Sequence, residues 1–314
     1  MADNKYIYAV ARIRSLEMGL LNDQFIEQLI AAPDTAAAER LLSEKGWEED
    51  LSKEESRIWS TVKELGVDMS VFDVLTLPKL YHNLKTAIKA VVIPGDYPNT
   101  FYEATEPGRD EIIRIVREKD WNDLPERMRG VAKEAYESFT QNQDGQLCDV
   151  IVDKACLEAI TEAGSKSKEP VVRDYANTTV AVTDIKIAVR CAKTGKTAEF
   201  AKKAIAPCQG IDADKLAKAA AGGTERVIEY LKNTSFKAAA EAIAASPSEF
   251  ECWCDNETIR KMKPQKMNAF TAGPLFAFVI GRQNEIKTVR IVLAGKDNGL
   301  TNDAIRERVR EMYG

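Results

Sequence analysis

The chain has 314 residues, with 44 basic and 49 acidic side chains, a formal charge of −5 and a pI near 5.3. That balance speaks against a broad nucleic-acid surface. No stretch approaches the roughly 20 apolar residues of a membrane helix, and Asp3, Arg12, Arg14 and Glu17 make the opening residues unlike a secretory leader.

The chain is long enough for two or three units. It contains 40 Ala but only 17 Gly and 11 Pro, which favours helix, because Ala is the best helix former and the other two the worst. Tyr6 to Met18 reads as a long amphipathic helix. Apolar residues then recur three and four apart nearly throughout, as at Phe25, Leu29 and Ile30, at Ile112, Ile113 and Val116, and at Val227, Ile228 and Leu231. Strict alternation is rare, so more than a dozen helices and essentially no sheet are expected. Ser52-Lys53-Glu54-Glu55 predicts a capping box. Pro33, Pro78, Pro94 and later prolines punctuate the pattern, and Pro94 to Gly108 reads as one long irregular loop.

His82 is the only histidine, within Leu80-Tyr81-His82-Asn83-Leu84. One imidazole builds no HExxH or His₃ metal centre, and its place in a helical run predicts a structural or solvent-facing side chain. The six cysteines, at 148, 156, 191, 208, 252 and 254, are spaced widely and read as reduced thiols. The tight pair Cys252 and Cys254 lacks a second pair to complete a zinc site. Ser165 to Glu169 is a short polar linker. Thr194-Gly195-Lys196-Thr197 holds a GKT, but Arg190 stands where a P-loop needs its first Gly, and the preceding residues read as helix. Gly195 is therefore expected to end a helix. Ser246-Pro247-Ser248-Glu249 is a second capping box with Pro at the first helical position, and Thr301 opens a final helix expected to reach Met312.

An internal repeat carries the most information. Asn83-Leu84-Lys85-Thr86-Ala87, Asp184-Ile185-Lys186-Ile187-Ala188 and Glu285-Ile286-Lys287-Thr288-Val289 are spaced by 101 residues twice over. From the anchors Leu84, Ile185 and Ile286, the residues three on are Ala87, Ala188 and Val289, and those seven on are Val91, Ala192 and Leu293. These offsets share one helix face. The residue before each anchor is Asn or acidic. A common stop is expected at Pro94-Gly95, Gly195 and Gly295. The interval exceeds solenoid periods, so we expect three similar helical domains, approximately 1–106, 107–207 and 208–314, with the N-terminal helix beside the last copy or closing the first. Such units suit a pseudo-three-fold closed arrangement. Lys85, Lys186 and Lys287 are then candidate partner contacts, with Lys89, Arg190 and Arg290 beside them; the other reading is solvated lysine on three amphipathic helices.

Gly273 to Tyr313, with its E-I-K-x-[VL]-R-I core at Glu285 to Ile291, Gly295-Lys296-x-Asn298-Gly299-Leu300 and Ile305 to Arg308, resembles the C-terminal region of the C subunit of the archaeal and bacterial V-type (A-type) ATPase, counterpart of the eukaryotic d subunit. Asp174 to Gly195 and Tyr6 to Arg14 resemble that family's middle copy and N-terminal helix; Gly95 to Gly108 and Cys208 to Glu249 have no residue-by-residue match. The resemblance implies an all-α fold of three domains forming a funnel. It implies a non-catalytic rotor component without cofactor or metal, which seats the central shaft, made of the D and F subunits, on the membrane proteolipid ring. It implies a peripheral, cytoplasmic-face location without direct membrane insertion. A helical-repeat adaptor with soluble partners is the rival outside this class, and a thiol- or metal-dependent activity at Cys252/Cys254 or His82 is the enzyme rival.

Overall fold

The structure, a computed structural model, describes residues 6–93, 95, 100–103 and 105–314. Among them it is all-α, without strands; a single antiparallel bridge joins Cys208 and Ile211. In chain order the helices are α1 (Ile7–Glu17), α2 (Asp23–Ala31), α3 (Thr35–Glu44), α4 (Leu51–Glu64), α5 (Asp73–Val92), α6 (Arg109–Glu118), α7 (Glu126–Asn142) and α8 (Gly145–Lys166). There follow α9 (Pro170–Lys193), α10 (Ala198–Ala204), α11 (Ala213–Ala221), α12 (Thr224–Lys232), α13 (Lys237–Ala245), α14 (Pro247–Met262), α15 (Gly273–Asp297) and α16 (Asn302–Arg306).

Local chemistry explains most of the boundaries. Ser246 caps α14 by accepting from Glu249 N at 3.0 Å, with Pro247 at the first position, as its capping box predicts. The box at Ser52 is not used as expected. Asp50 caps α4 instead, accepting from Ser52 N at 2.9 Å, and a carboxylate suits the positive helix end. Gly195, with φ +62°, follows α9, where its missing Cβ makes the left-handed turn cheap.

Four expectations are corrected. Pro78 lies inside α5; one backbone bond is lost there, while buried Val74, Leu77, Tyr81 and Leu84 hold the helix on its core. Gly295 does not stop α15 but sits within it, because Ile305 occupies the space of its absent Cβ, and Gly299 (φ +66°) makes the turn. The linker before α9 shrinks to Ser167–Glu169, since α8 runs on through Lys166. The final helix ends at Arg306 rather than Met312, and a tail without regular secondary structure carries Met312 and Tyr313 into the core. Pro94, offered as part of the first stop, lies outside the described residues, as do parts of the loop from Pro94 to Gly108.

The chain divides into two compact units. One contains residues 1–71, 168–175 and 236–314; the other contains 72–167 and 176–235. In the first, α15 packs against α1, α2, α3, α4, α14 and α16. Leu275, Phe276, Val279, Val289 and Val292 of α15 are all at most 1% exposed, and full burial of such a side chain stabilises by about 1.5–3 kcal/mol. Lys296 at the end of α15 donates to the carbonyls of Ile30 (2.8 Å) and Ala32, which satisfies the last turn of α2. In the second unit α5 packs on α6, α7 and α8, while α10 meets α8 and α11, and α11 meets α12.

Candidate partner-contact site

The three repeat motifs lie on α5, α9 and α15. Their anchors Leu84, Ile185 and Ile286 are buried, and Ala87, Ala188 and Val289 are fully buried; Val91, Ala192 and Leu293 are half-buried in all three. A shared apolar stripe at offsets 0, 3 and 7 is thus realised on each helix.

The residue before each anchor does something that the sequence pattern did not reveal. Asn83, Asp184 and Glu285 have no solvent exposure, and each grips backbone arriving from elsewhere. Asn83 Nδ2 donates to Tyr102 O (2.8 Å) and Thr105 Oγ1 (2.9 Å), and its Oδ1 accepts from Tyr102 N (2.8 Å). Asp184 Oδ1 accepts from Ala206 N (3.0 Å), and the Cys208 thiol donates to Oδ2 at 3.7 Å. Glu285 Oε1 accepts from Leu21 N at 2.6 Å. A buried polar group left unpaired is costly, so each one fixes a segment that has no helix of its own at that point. The signal available was the recurrence of Asn, Asp and Glu amid apolar neighbours at a constant interval.

Glu285 belongs to a larger network. Arg282 bridges Glu285 and Glu54, reaching Glu54 Oε2 at 2.6 Å, and its guanidinium lies 4.7 Å from the Trp47 ring centroid. Glu54 Oε1 also accepts from Glu48 N at 3.0 Å. Burial pushes the Glu285 carboxyl up to about 7 against the opposing pull of Arg282. Burial likewise lifts Asp184 to about 7, although the Ala206 N–H bond favours its charged form.

The candidate cations flank these positions. Lys85 pairs with Asp153 of α8 at 2.7 Å, and Lys89 with Asp149 at 2.6 Å. Lys287 pairs with Asp255 of α14 at 2.6 Å, where Arg310 Nε of the C-terminal tail also donates, at 2.6 Å. Burial would raise the Asp255 carboxyl, but Lys287 and Arg310 together hold it below the usual carboxylate range. Lys186, half-buried on α9, has an interaction of its own. Arg190 and Arg290 are exposed and make no ion pair among the described residues. Lys85, Lys89 and Lys287 therefore help bind their own helices to the fold, and Arg190 and Arg290 are the least encumbered of the candidates.

His82 is half-buried; its Nε2 is 2.8 Å from Thr100 O and its ring stands edge-on to Tyr102 at 4.9 Å. With Lys85, Thr86, Lys89, Thr100, Phe101 and Tyr102 it lines a cavity of about 570 Å³. All six cysteines are free thiols, and Cys252 and Cys254 are buried. Arg310 Nη1 donates to Cys252 Sγ at 3.2 Å. Among the described residues no group of three His, Cys, Asp or Glu is placed to hold a metal, and no helix is long and apolar enough to cross a membrane.

Residues 9–308 match the family model described as ATP synthase (C/AC39) subunit. The chain is 20% identical to the C subunit of a V-type sodium ATPase of Enterococcus hirae, over 96% of this chain and 97% of the relative. It is 22% identical to the C subunit of an A-type ATP synthase of Methanocaldococcus jannaschii, over 96% of this chain and 85% of that relative.

Proposed function

Because the chain belongs to the ATP synthase (C/AC39) subunit family, the C subunits of rotary V/A-type ATPases, we propose that it is a non-catalytic coupling piece of the central stalk. In this reading it joins the rotating shaft, made of the D and F subunits, to the proteolipid ring, at the cytoplasmic face of the membrane. ATP-driven rotation reaches the ion-carrying ring through it, or runs in reverse during ATP synthesis. Three helical copies, near 1–106, 107–207 and 208–314, form a pseudo-three-fold funnel that receives the shaft.

The observation that carries the proposal is the family match over residues 9–308. The equally spaced latches at Asn83, Asp184 and Glu285 support the triplication, since each couples a repeat helix rigidly to a neighbouring segment. A torque-transmitting part needs stiffness, and fully paired buried polar groups supply it. Lys85, Lys186, Lys287, Arg190 and Arg290 are the proposed partner contacts, with charge acting mainly on orientation and association rate.

The test is a pull-down of the full chain from native membranes. Recovery of the shaft and proteolipid proteins is expected. Recovery of soluble proteins alone, with neither, would transfer the chain to the adaptor class.

A further inference from the structure

The segment joining α14 to α15 differs in charge from the rest of the molecule. From Thr258 to Asn284 there is no Asp or Glu, whereas Arg260, Lys261, Lys263 and Lys266 fall within seven residues of one another, in a chain whose net charge is −5. A short 3-10 turn, Lys263–Met267, carries the last two of these lysines. Met267, the last residue of this turn, is 90% exposed and Phe270 58% exposed, with Asn268 and Ala269 exposed between them.

The turn is anchored rather than loose. Arg14 of α1 donates to the carbonyls of Lys266 and Gln265, and the Lys266 ammonium lies 4.6 Å from the Tyr313 ring centroid. Met18, 83% exposed, caps α1 four residues after Arg14, on the side of the helix that Arg14 occupies. Counter-charge is scarce: Arg260 and Lys263 share the single carboxylate of Glu311, and Lys261 reaches Glu257 only at 3.8 Å. Exposed Met267 and Phe270 beside four cations that share two carboxylates, Glu311 and Glu257, have the chemistry of an interfacial anchor, in which apolar side chains enter the headgroup boundary and cations meet anionic lipid.

We propose that the Lys261–Phe270 tip, with Met18 beside it, docks on the surface of a bilayer containing anionic lipid. The excess positive charge selects the occupant: a zwitterionic surface has no net negative potential to attract these cations, whereas an anionic one does. The proposal stands apart from the coupling role, because a lipid vesicle contains no ATPase component, so either reading can fail alone.

The experiment is co-sedimentation of the full chain with phosphatidylcholine vesicles, with and without phosphatidylglycerol. Binding should favour the anionic vesicles and weaken as salt rises. Neutralising Lys261 and Lys263 to Gln should lower binding by about fivefold for each charge. The double variant Met267→Ser/Phe270→Ser, at exposed positions that leave the core untouched, should lower it by roughly tenfold or more. Equal binding to both vesicle types, or a double variant that binds like the parent, overturns the proposal. So does capture of detergent-solubilised proteolipid ring that depends on Met267 and Phe270 without any anionic-lipid preference; that outcome assigns the tip to a protein surface.

Discussion

The Glu285 carboxylate, without solvent exposure on α15, accepts a hydrogen bond from the backbone N–H of Leu21 at 2.6 Å, 264 positions earlier in the chain. In the equivalent places Asn83 and Asp184 hold backbone only 19 and 22 positions later. The third latch is thus closed by the segment between α1 and α2. The N-terminal helix is tied to α15 by this bond and by its packing against it.

Glu285→Ala removes the acceptor for Leu21 and one partner of the half-buried Arg282. Breaking a buried pair of this kind costs about 3–5 kcal/mol, and urea unfolding should register a loss in that range. Glu285→Gln keeps an oxygen for Leu21, and Glu54 still balances Arg282, so its loss should be clearly smaller. Equal losses for the two variants would show that the Leu21 bond contributes nothing.

Asp184 gives a pH dependence with a definite sign. Burial raises its folded value from 3.8 to about 7, so the native chain retains a proton that the unfolded chain releases. The contribution is complete below about pH 4 and is lost as pH rises through about 7. Asp184→Asn removes this titration and keeps an acceptor for Ala206. Between about pH 5 and pH 8 the parent's melting temperature should fall more than the variant's. Parallel curves would assign the pH dependence to other groups.

The interior around the C-terminal tail is tight. A Cβ on Gly281 would stand 2.7 Å from Tyr313 Cδ1, and one on Gly295 would stand 2.7 Å from Ile305 Cγ1. Gly281→Ala and Gly295→Ala should each destabilise by about 1–3 kcal/mol through overpacking. In a double-mutant cycle, Ile305→Ala should relieve the second substitution, giving a favourable coupling energy. Additive losses would place the strain elsewhere.

Charge reversal to Glu at Lys85, Lys186 and Lys287 together separates their structural and partner roles. The Lys85–Asp153 and Lys287–Asp255 pairs are only partly exposed, and reversal sets Glu against Asp153 and Asp255, so the triple variant should melt at a lower temperature than the parent. Where circular dichroism shows it folded, it should assemble less well with the shaft and ring in reconstitution. Unchanged assembly and unchanged coupling would remove the lysines from the interface.

Much of the fold was legible because it rests on periodicity and local chemistry. The stripe at Leu84, Ala87 and Val91 and its two counterparts follow from helical geometry alone, and Ser246 and Gly195 mark helix ends by hydrogen bonding and by φ that neighbouring residues suffice to set. Gly295 misled for the opposite reason. A glycine reads as a stop, but this one is needed for the approach of Ile305 ten residues on. The tail after Arg306 carries a helical pattern, yet it is not helical, and Arg310 pairs with Asp255 while Tyr313 packs on Gly281, contacts that the local pattern does not announce.

The sequence by itself determined the all-α class, the 101-residue recurrence, the buried stripe and the absence of a second imidazole, since composition and spacing are properties of the linear chain. Only the tertiary structure decided what the recurring Asn, Asp and Glu are for. The free energy of a buried polar group depends on the partner that reaches it. Leu21 reaches Glu285 across 264 positions through folding alone. The same holds for the lysines: their spacing is written in the chain, while Asp153 and Asp255, which take up the charges of Lys85 and Lys287, are supplied by the packing of α8 and α14.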